Sequence, residues 1–162
     1  LNLAYTFVLK HKPVLDIFTI SLGFVLRVYA GGVALDVPVS SWMFITTLCL
    51  ALFLASVKRR QELINIGSDS RKTLEGYSLP LMDFYSQVSS IATLIFYSMY
   101  VMSVRAELAL TIPIVIFGIY RYWFLVDRTG VGESPTDVLF EDQQMAITVL
   151  LWVIVSCWLI WN

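Results

Sequence analysis

The chain has 162 residues, 58% of them hydrophobic and 14% charged, whereas an ordinary soluble domain carries roughly a quarter charged residues. So little polar surface excludes a water-soluble globule, and the bilayer is the natural solvent for this composition. The formal net charge of −1 says nothing about partners; the placement of the charges says more.

Crossing the hydrocarbon core takes about 20 mostly apolar residues in a helix. Five such segments are expected, near Val14–Leu35, Trp42–Val57, Pro80–Ser103, Leu108–Val126 and Met145–Trp161. Leu1–Leu9 reads as the tail of a sixth. Helices satisfy their own backbone groups in lipid, and the period-two alternation of a barrel is absent. The expected fold class is therefore an all-α, polytopic transmembrane bundle. The chain opens on Leu1 with no signal-peptide pattern, so it is expected to be the C-terminal portion of a longer protein.

The connections alternate in character. Lys10–Pro13, Lys58–Leu79 and Asp127–Gln144 are basic or long, while Asp36–Ser41 and Arg105–Glu107 are short. Nine of the eleven Lys and Arg fall on the first side: Lys10, Lys12, Lys58, Arg59, Arg60, Arg71, Lys72, Arg121 and Arg128. Arg105 lies on the other side and Arg27 within a span. This asymmetry places the long loops in the cytoplasm, and Trp42, Trp158 and Trp161 suit interfacial anchoring. Gly67 suits a cap for a charged continuation Lys58–Ile66, and Pro80 the start of the next span.

Several residues are candidates for chemistry. Arg27 lies near mid-depth of its span, where an ionisable residue is costly and marks function by default. Gly23 and Gly31 flank it on one face, and Asp16 lies eleven residues before it on the same wall. The plainer alternative is that Arg27 bonds a helix carbonyl or an acidic partner from elsewhere. Lys58-Arg59-Arg60-Gln61-Glu62 puts two cations and a carboxylate on one helix face, a grouping suited to phosphate oxygens or a Mg²⁺ ligand. Orientation alone also explains basic residues there. Lys10-His11-Lys12, a short helix over Arg71–Tyr77 with Lys72, Glu75 and Tyr77, and the acidic stretch Gly132–Asp142 are weaker candidates: orientation explains the first more readily, a solvated loop helix explains the second at least as well, and a solvated loop is the better reading of the third. Cys49 and Cys157 sit in apolar runs and form neither a disulfide framework nor a metal site. The basic residues flank spans and form no stripe, so nucleic-acid binding is not expected.

Three blocks carry a family resemblance. Leu3-Ala4-Tyr5-Thr6-Phe7-Val8-Leu9-Lys10-His11, Leu15-Asp16, Gly23-Phe24-Val25-Leu26-Arg27 and Ala30-Gly31 resemble the middle of a UbiA-type prenyltransferase superfamily member. Lys58-Arg59-Arg60-Gln61-Glu62-Leu63, Arg71…Leu74…Tyr77-Ser78 and Gly132-Glu133-Ser134-Pro135-Thr136-Asp137-Val138-Leu139 resemble its decaprenyl-phosphate phosphoribosyltransferase branch. The resemblance implies a bundle of about nine helices in the plasma membrane with a cavity open to the cytoplasm. It implies transfer of a 5-phosphoribosyl group from phosphoribosyl pyrophosphate to a polyprenyl (decaprenyl) phosphate, with Mg²⁺, for cell-wall arabinan synthesis; an oligomer is compatible with it.

The implied roles put Arg27, Lys58, Arg59 and Glu62 at the reacting groups. Lys10, Arg27, Lys58, Arg59 and Tyr77 bind phosphate, and Glu62 is the one metal ligand in the chain. The family's main Mg²⁺ motif lies before Leu1, so this length of chain alone is expected to be inactive. A prenyltransferase acting on an aromatic acceptor and a non-catalytic, transporter-like bundle are the alternatives.

Overall fold

The computed structural model describes residues 12–66, 76–129 and 142–162. Among them the chain forms five long helices: α1 (Leu15–Ala34), α2 (Ser41–Ile66), α3 (Leu79–Val104), α4 (Ile112–Thr129) and α5 (Gln143–Trp161). A 3₁₀ helix, Ala106–Thr111, leads into α4. No strand occurs among the described residues. The five helices, with the 3₁₀ segment joined to α4, are long and apolar enough to cross a membrane. The expected tail of a sixth span, Leu1–Leu9, lies outside the described residues, as do Gly67 and the stretches 71–75 and 132–141.

Helix boundaries follow local chemistry. Ser78 caps α3, its hydroxyl accepting from the Leu81 N–H, with Pro80 in the first turn, where a missing N–H costs nothing. Asp142 caps α5, its carboxylate accepting from the Met145 N–H at 2.7 Å. The second helix is longer than its apolar run: Lys58–Ile66 continues it without a break. The expected tight turn at Arg105–Glu107 is instead the start of the 3₁₀ segment. There Thr111 bonds Tyr97 at 2.6 Å, and Trp152 donates to the Tyr97 hydroxyl at 2.7 Å. This polar contact fastens α3, the 3₁₀ turn and α5 at one end.

The surface is apolar and the interior partly polar. Leu26, Val33, Ile91, Ile95, Leu150, Ile154 and Trp158 are exposed, while Ser21, Ser56, Ser86 and Thr111 are buried. Several buried hydroxyls on the helices bond carbonyls one turn back, as with Ser21 to Ile17 and Thr93 to Ser89, while those of Ser86 and Tyr122 find no partner among the described residues. Such bonding is how a hydroxyl is satisfied away from water. Of the expected tryptophan anchors, Trp158 and Trp161 are exposed, whereas Trp42 is half-buried and stacks on Phe96.

Helix α2 is central. Its interface with α3 is the most extensive in the bundle, followed by that with α1. On one face Ala55 joins Ile17, Tyr77 and Met82. On the opposite face Phe53 and Val57 join Ile119, Tyr122, Val126 and Met145. Gln61, one turn beyond Val57, donates to the Val126 carbonyl at 3.2 Å. Four-residue steps keep Ala55 with Arg59 and Phe53 with Val57 and Gln61, so the two sets face opposite ways.

Candidate functional site

The start of α1, the charged end of α2 and the segment before α3 meet at one end of the bundle. Asp16 lies in the first turn of α1, where a carboxylate is favoured by the helix dipole. It is inaccessible to solvent. Its Oδ2 accepts from Arg59 Nε at 2.9 Å, and its Oδ1 from the Tyr77 hydroxyl at 2.5 Å. Arg59, 7% exposed, also donates through Nη1 to Glu62, one turn further along α2. The Tyr77 oxygen accepts from the Val14 N–H at 2.5 Å. Burial and the bond to Asp16 push the Tyr77 phenol well above its usual pKa, so it stays a neutral donor.

Two further ion-pair groups surround this cluster. Arg60 bonds Asp83 of α3 at 2.5 Å, approaches Asp127 of α4 at 3.5 Å and lies over the Trp123 ring. Arg121 of α4 makes two bonds to Asp142, at 3.1 and 2.6 Å. The guanidinium of Arg121 holds the Asp142 carboxyl below the usual carboxylate range. All five helices thus carry their paired charges at the same end.

An apolar cavity of about 320 Å³ lies beside the cluster, lined in part by Val14, Ile17, Phe18, Leu52, Ser56 and Tyr85. Val14 and Ile17 stand within two residues of Asp16 in sequence, which brings the cavity next to the cluster. Another, of about 260 Å³, is lined by Phe53, Tyr122, Met145 and neighbours on the opposite face of α2. It carries no charged side chain in its lining and stands apart from the cluster.

This is a charged, buried cluster with a hydrocarbon-lined cavity attached, in a membrane-spanning bundle. No family model matches the chain. Over 94% of its length, however, it is 34% identical to the decaprenyl-phosphate phosphoribosyltransferase of Mycolicibacterium smegmatis, covering 52% of that protein. It is 35% identical to the protein of that name from Corynebacterium glutamicum, covering 49% of it. The figures for Mycobacterium tuberculosis are 30% and 53%. The chain is a relative of the decaprenyl-phosphate phosphoribosyltransferases. This bears out the resemblance carried by the Asp16, Arg27 and Lys58–Leu63 blocks. The chain spans about half the length of the curated relatives it matches.

The structure brings together three of the six expected site residues, namely Arg59, Glu62 and Tyr77. Lys58 is exposed on the same end of α2; Glu62, expected to share its face, pairs with Arg59 instead. Lys10 lies outside the described residues. Arg27 is not brought to the cluster: it is exposed and lies over the Phe24 ring, 5.1 Å from its centroid. Periodicity does keep Asp16 and Arg27 on one side of α1, about 16 Å apart along the axis. At Asp16 that side is covered by Arg59 and Tyr77. At Arg27 the described residues leave it open, and a Cβ on neighbouring Gly31 meets nothing within 4 Å.

Sequence reasoning did not pair Asp16 with Arg59, nor Arg60 with Asp83, nor Arg121 with Asp142. A signal was available in topology: alternating spans put the start of α1, the end of α2 and the start of α3 on one side. Asp16 is then the buried acid nearest to a row of three cations.

Proposed function

We propose that this chain is part of a membrane transferase that moves a 5-phosphoribosyl group from phosphoribosyl pyrophosphate to a polyprenyl phosphate. The reading is carried by similarity across 94% of the chain to proteins named decaprenyl-phosphate phosphoribosyltransferase. The buried arginine beside an apolar cavity supports it. As the bond from ribose C1 to pyrophosphate breaks, negative charge grows on the leaving oxygens. A preorganised guanidinium in a site shielded from water stabilises that charge strongly.

In this reading Arg59 faces the donor phosphates with Lys58 beside it, Glu62 orients the guanidinium, and the acceptor's hydrocarbon tail enters the cavity next to Val14 and Ile17. Lys10 and Arg27 remain assigned to phosphate by the family resemblance. The basic end faces the cytoplasm, where the donor is made, in the plasma membrane, and the lipid product serves cell-wall arabinan synthesis.

Mg²⁺ belongs to the proposal as the counter-charge of the leaving pyrophosphate. The cation usually keeps several waters and takes one or two unengaged carboxylates beside substrate phosphates. Among the described residues no group of three acidic, His or Cys side chains converges, and Asp16 and Glu62 are both engaged by Arg59. The described residues therefore do not fit the ion by themselves, and no step is routed through it.

The test is an assay of the full-length protein in membranes, supplied with labelled phosphoribosyl pyrophosphate and decaprenyl phosphate. Label is expected in the lipid fraction. Transfer from a prenyl diphosphate to an aromatic acceptor, with none from phosphoribosyl pyrophosphate, would overturn the reading in favour of a prenyltransferase.

A further inference from the structure

We infer that the slot on the Phe53 side of α2 holds the inner end of an acyl chain from a bilayer glycerophospholipid. The slot, about 260 Å³ and open on one side, lies between α2, α4 and α5. It exists because α5 leans mainly on α4 and the 3₁₀ segment and only slightly on α2. Its lining presents carbon almost throughout. Thr148 spends its hydroxyl on the Gln144 carbonyl at 2.7 Å and turns a methyl group toward Gly118. Tyr122 lines the slot with its ring, which meets Phe53 edge-on at 5.6 Å, and its hydroxyl oxygen is buried. Trp152 gives its indole N–H to Tyr97. A polar ligand finds nothing here to replace its bonds to water, whereas a hydrocarbon loses nothing on entry.

Depth selects the hydrocarbon. Along α4 the lining runs from Tyr122 to Ile114, about 12 Å at the helical rise. Along α5 it runs from Met145 to Trp152, about 10 Å. Tyr122 itself lies about 10 Å below the end of α4 at Thr129. In a hydrocarbon core about 30 Å thick, the slot thus covers the inner part of the leaflet on the basic side and reaches the midplane. That is the depth of acyl-chain ends. Val149 lines the slot and is 41% exposed, so a chain passes in from the side. Gly118 leaves the room: a Cβ there meets only the Thr148 methyl group, at 3.7 Å. In a bilayer the solvent is itself alkyl chain, and an unfilled slot forfeits the contacts of its lining.

The slot stands on the membrane-spanning fold alone. The exclusion of the acceptor's tail rests on the proposed function, which puts the acceptor phosphate at the Asp16 and Arg59 cluster. Arg59 lies on the opposite face of α2 from Phe53 and Val57, and the cavity at Val14 and Ile17 is next to that cluster.

The experiment uses the full-length protein in phosphatidylglycerol nanodiscs. The probe is phosphatidylglycerol with a photoreactive diazirine either at the chain end or beside the ester, and labelled peptides are read by mass spectrometry. The chain-end probe should label the peptides carrying Ile114–Tyr122 and Met145–Trp152 well above those carrying the outward-facing Ile95. The ester-side probe should not. Gly118→Leu fills the slot and Val149→Phe narrows its open side. Each should cut chain-end labelling about tenfold, as losing the burial of two methylene groups does.

Labelling of the lining no stronger than at Ile95, or undiminished in both variants, would overturn the inference. So would displacement of the probe by decaprenyl phosphate as readily as by unlabelled phosphatidylglycerol. Should Gly118→Leu fail to fold, Val149→Phe, at a lipid-exposed position, decides by the same measurement. A protein that transfers no phosphoribosyl group, yet labels as described, sinks the proposed reaction and leaves the lipid site standing.

Discussion

Asp16 and Arg59, 43 residues apart in the chain, are joined by a bond of 2.9 Å that neither residue shares with solvent. The pair ties the first turn of one apolar helix to the charged end of the next. The proposed reaction assigns its anionic substrate to this end of the bundle. Arg59 is therefore both a stabilising residue and the leading candidate for phosphate contact, and the two roles separate experimentally.

Replacing Arg59 with alanine leaves Asp16 buried without its counter-charge. Removing one partner of a buried pair costs about 3–5 kcal/mol. Arg59→Ala in the full-length protein should lose transfer activity and also melt at a lower temperature. Arg59→Lys should keep more of the melting temperature than of the activity, since an ammonium retains charge but not the two-nitrogen edge. Thermal melting in nanodiscs followed beside turnover checks both halves. An Arg59→Ala enzyme with full activity returns this residue to a topological role.

Gly76→Ala tests the close approach to Pro13. The added methyl group meets ring atoms that cannot swing aside, and overpacking of this kind costs about 1–3 kcal/mol. The expected result is a destabilised protein with lowered activity, because Tyr77 is displaced with its neighbour. Gly118→Ala serves as the control: its Cβ lies at an ordinary 3.7 Å from the Thr148 methyl group, and it should be close to neutral. Equal melting temperatures for the two variants would contradict the packing described.

The Arg121–Asp142 pair makes a pH prediction. Asp142 has its folded pKa lowered, first by the Arg121 hydrogen bond. A lowered acid pKa means stability that is present above the unfolded value near 4 and is lost as the pH falls through the folded value. Asparagine still caps a helix but carries no charge. The wild type should therefore melt above Asp142→Asn at neutral pH, with the gap closing below about pH 4. A gap that is constant from pH 7 to pH 3 would show that the ion pair contributes nothing.

Orientation is open to direct labelling. Lys58→Cys at the basic end and Asp36→Cys at the other, in a cysteine-free background, present exposed thiols on opposite sides. The excess of Lys and Arg predicts that Lys58→Cys reacts with an impermeant maleimide only in opened vesicles, while Asp36→Cys reacts in intact cells. The reverse pattern would put the cluster on the outer face and remove its access to a cytoplasmic donor.

Much of the architecture was legible because lipid imposes it. Runs of about 20 apolar residues leave few choices, and Ser78, Pro80 and Asp142 are local start signals. The second span was read as ending at Val57 with Lys58–Ile66 as its charged helical continuation, and the helix does run on to Ile66. The site was only half legible. Arg59 and Glu62 lie three apart, so a helical wheel pairs them. No local pattern pairs Arg59 with Asp16 or Tyr77 with Val14, because those contacts are set by how three helix ends assemble. Arg27 shows the complementary limit: periodicity gave its side of α1 correctly, but what covers that side changes with depth.

The two-sided burial of α2 sets how freely this protein can drift. On the outward faces of α1, α3 and α5 one aliphatic side chain serves lipid as well as another, and substitutions there should accumulate. Phe53 and Val57 on one side of α2, and Ala55 and Arg59 on the other, each have partners on a different helix. Random mutagenesis under selection should leave α2 the most restrained of the five helices, with tolerated changes concentrated at positions such as Leu50 and Ile64 that look outward.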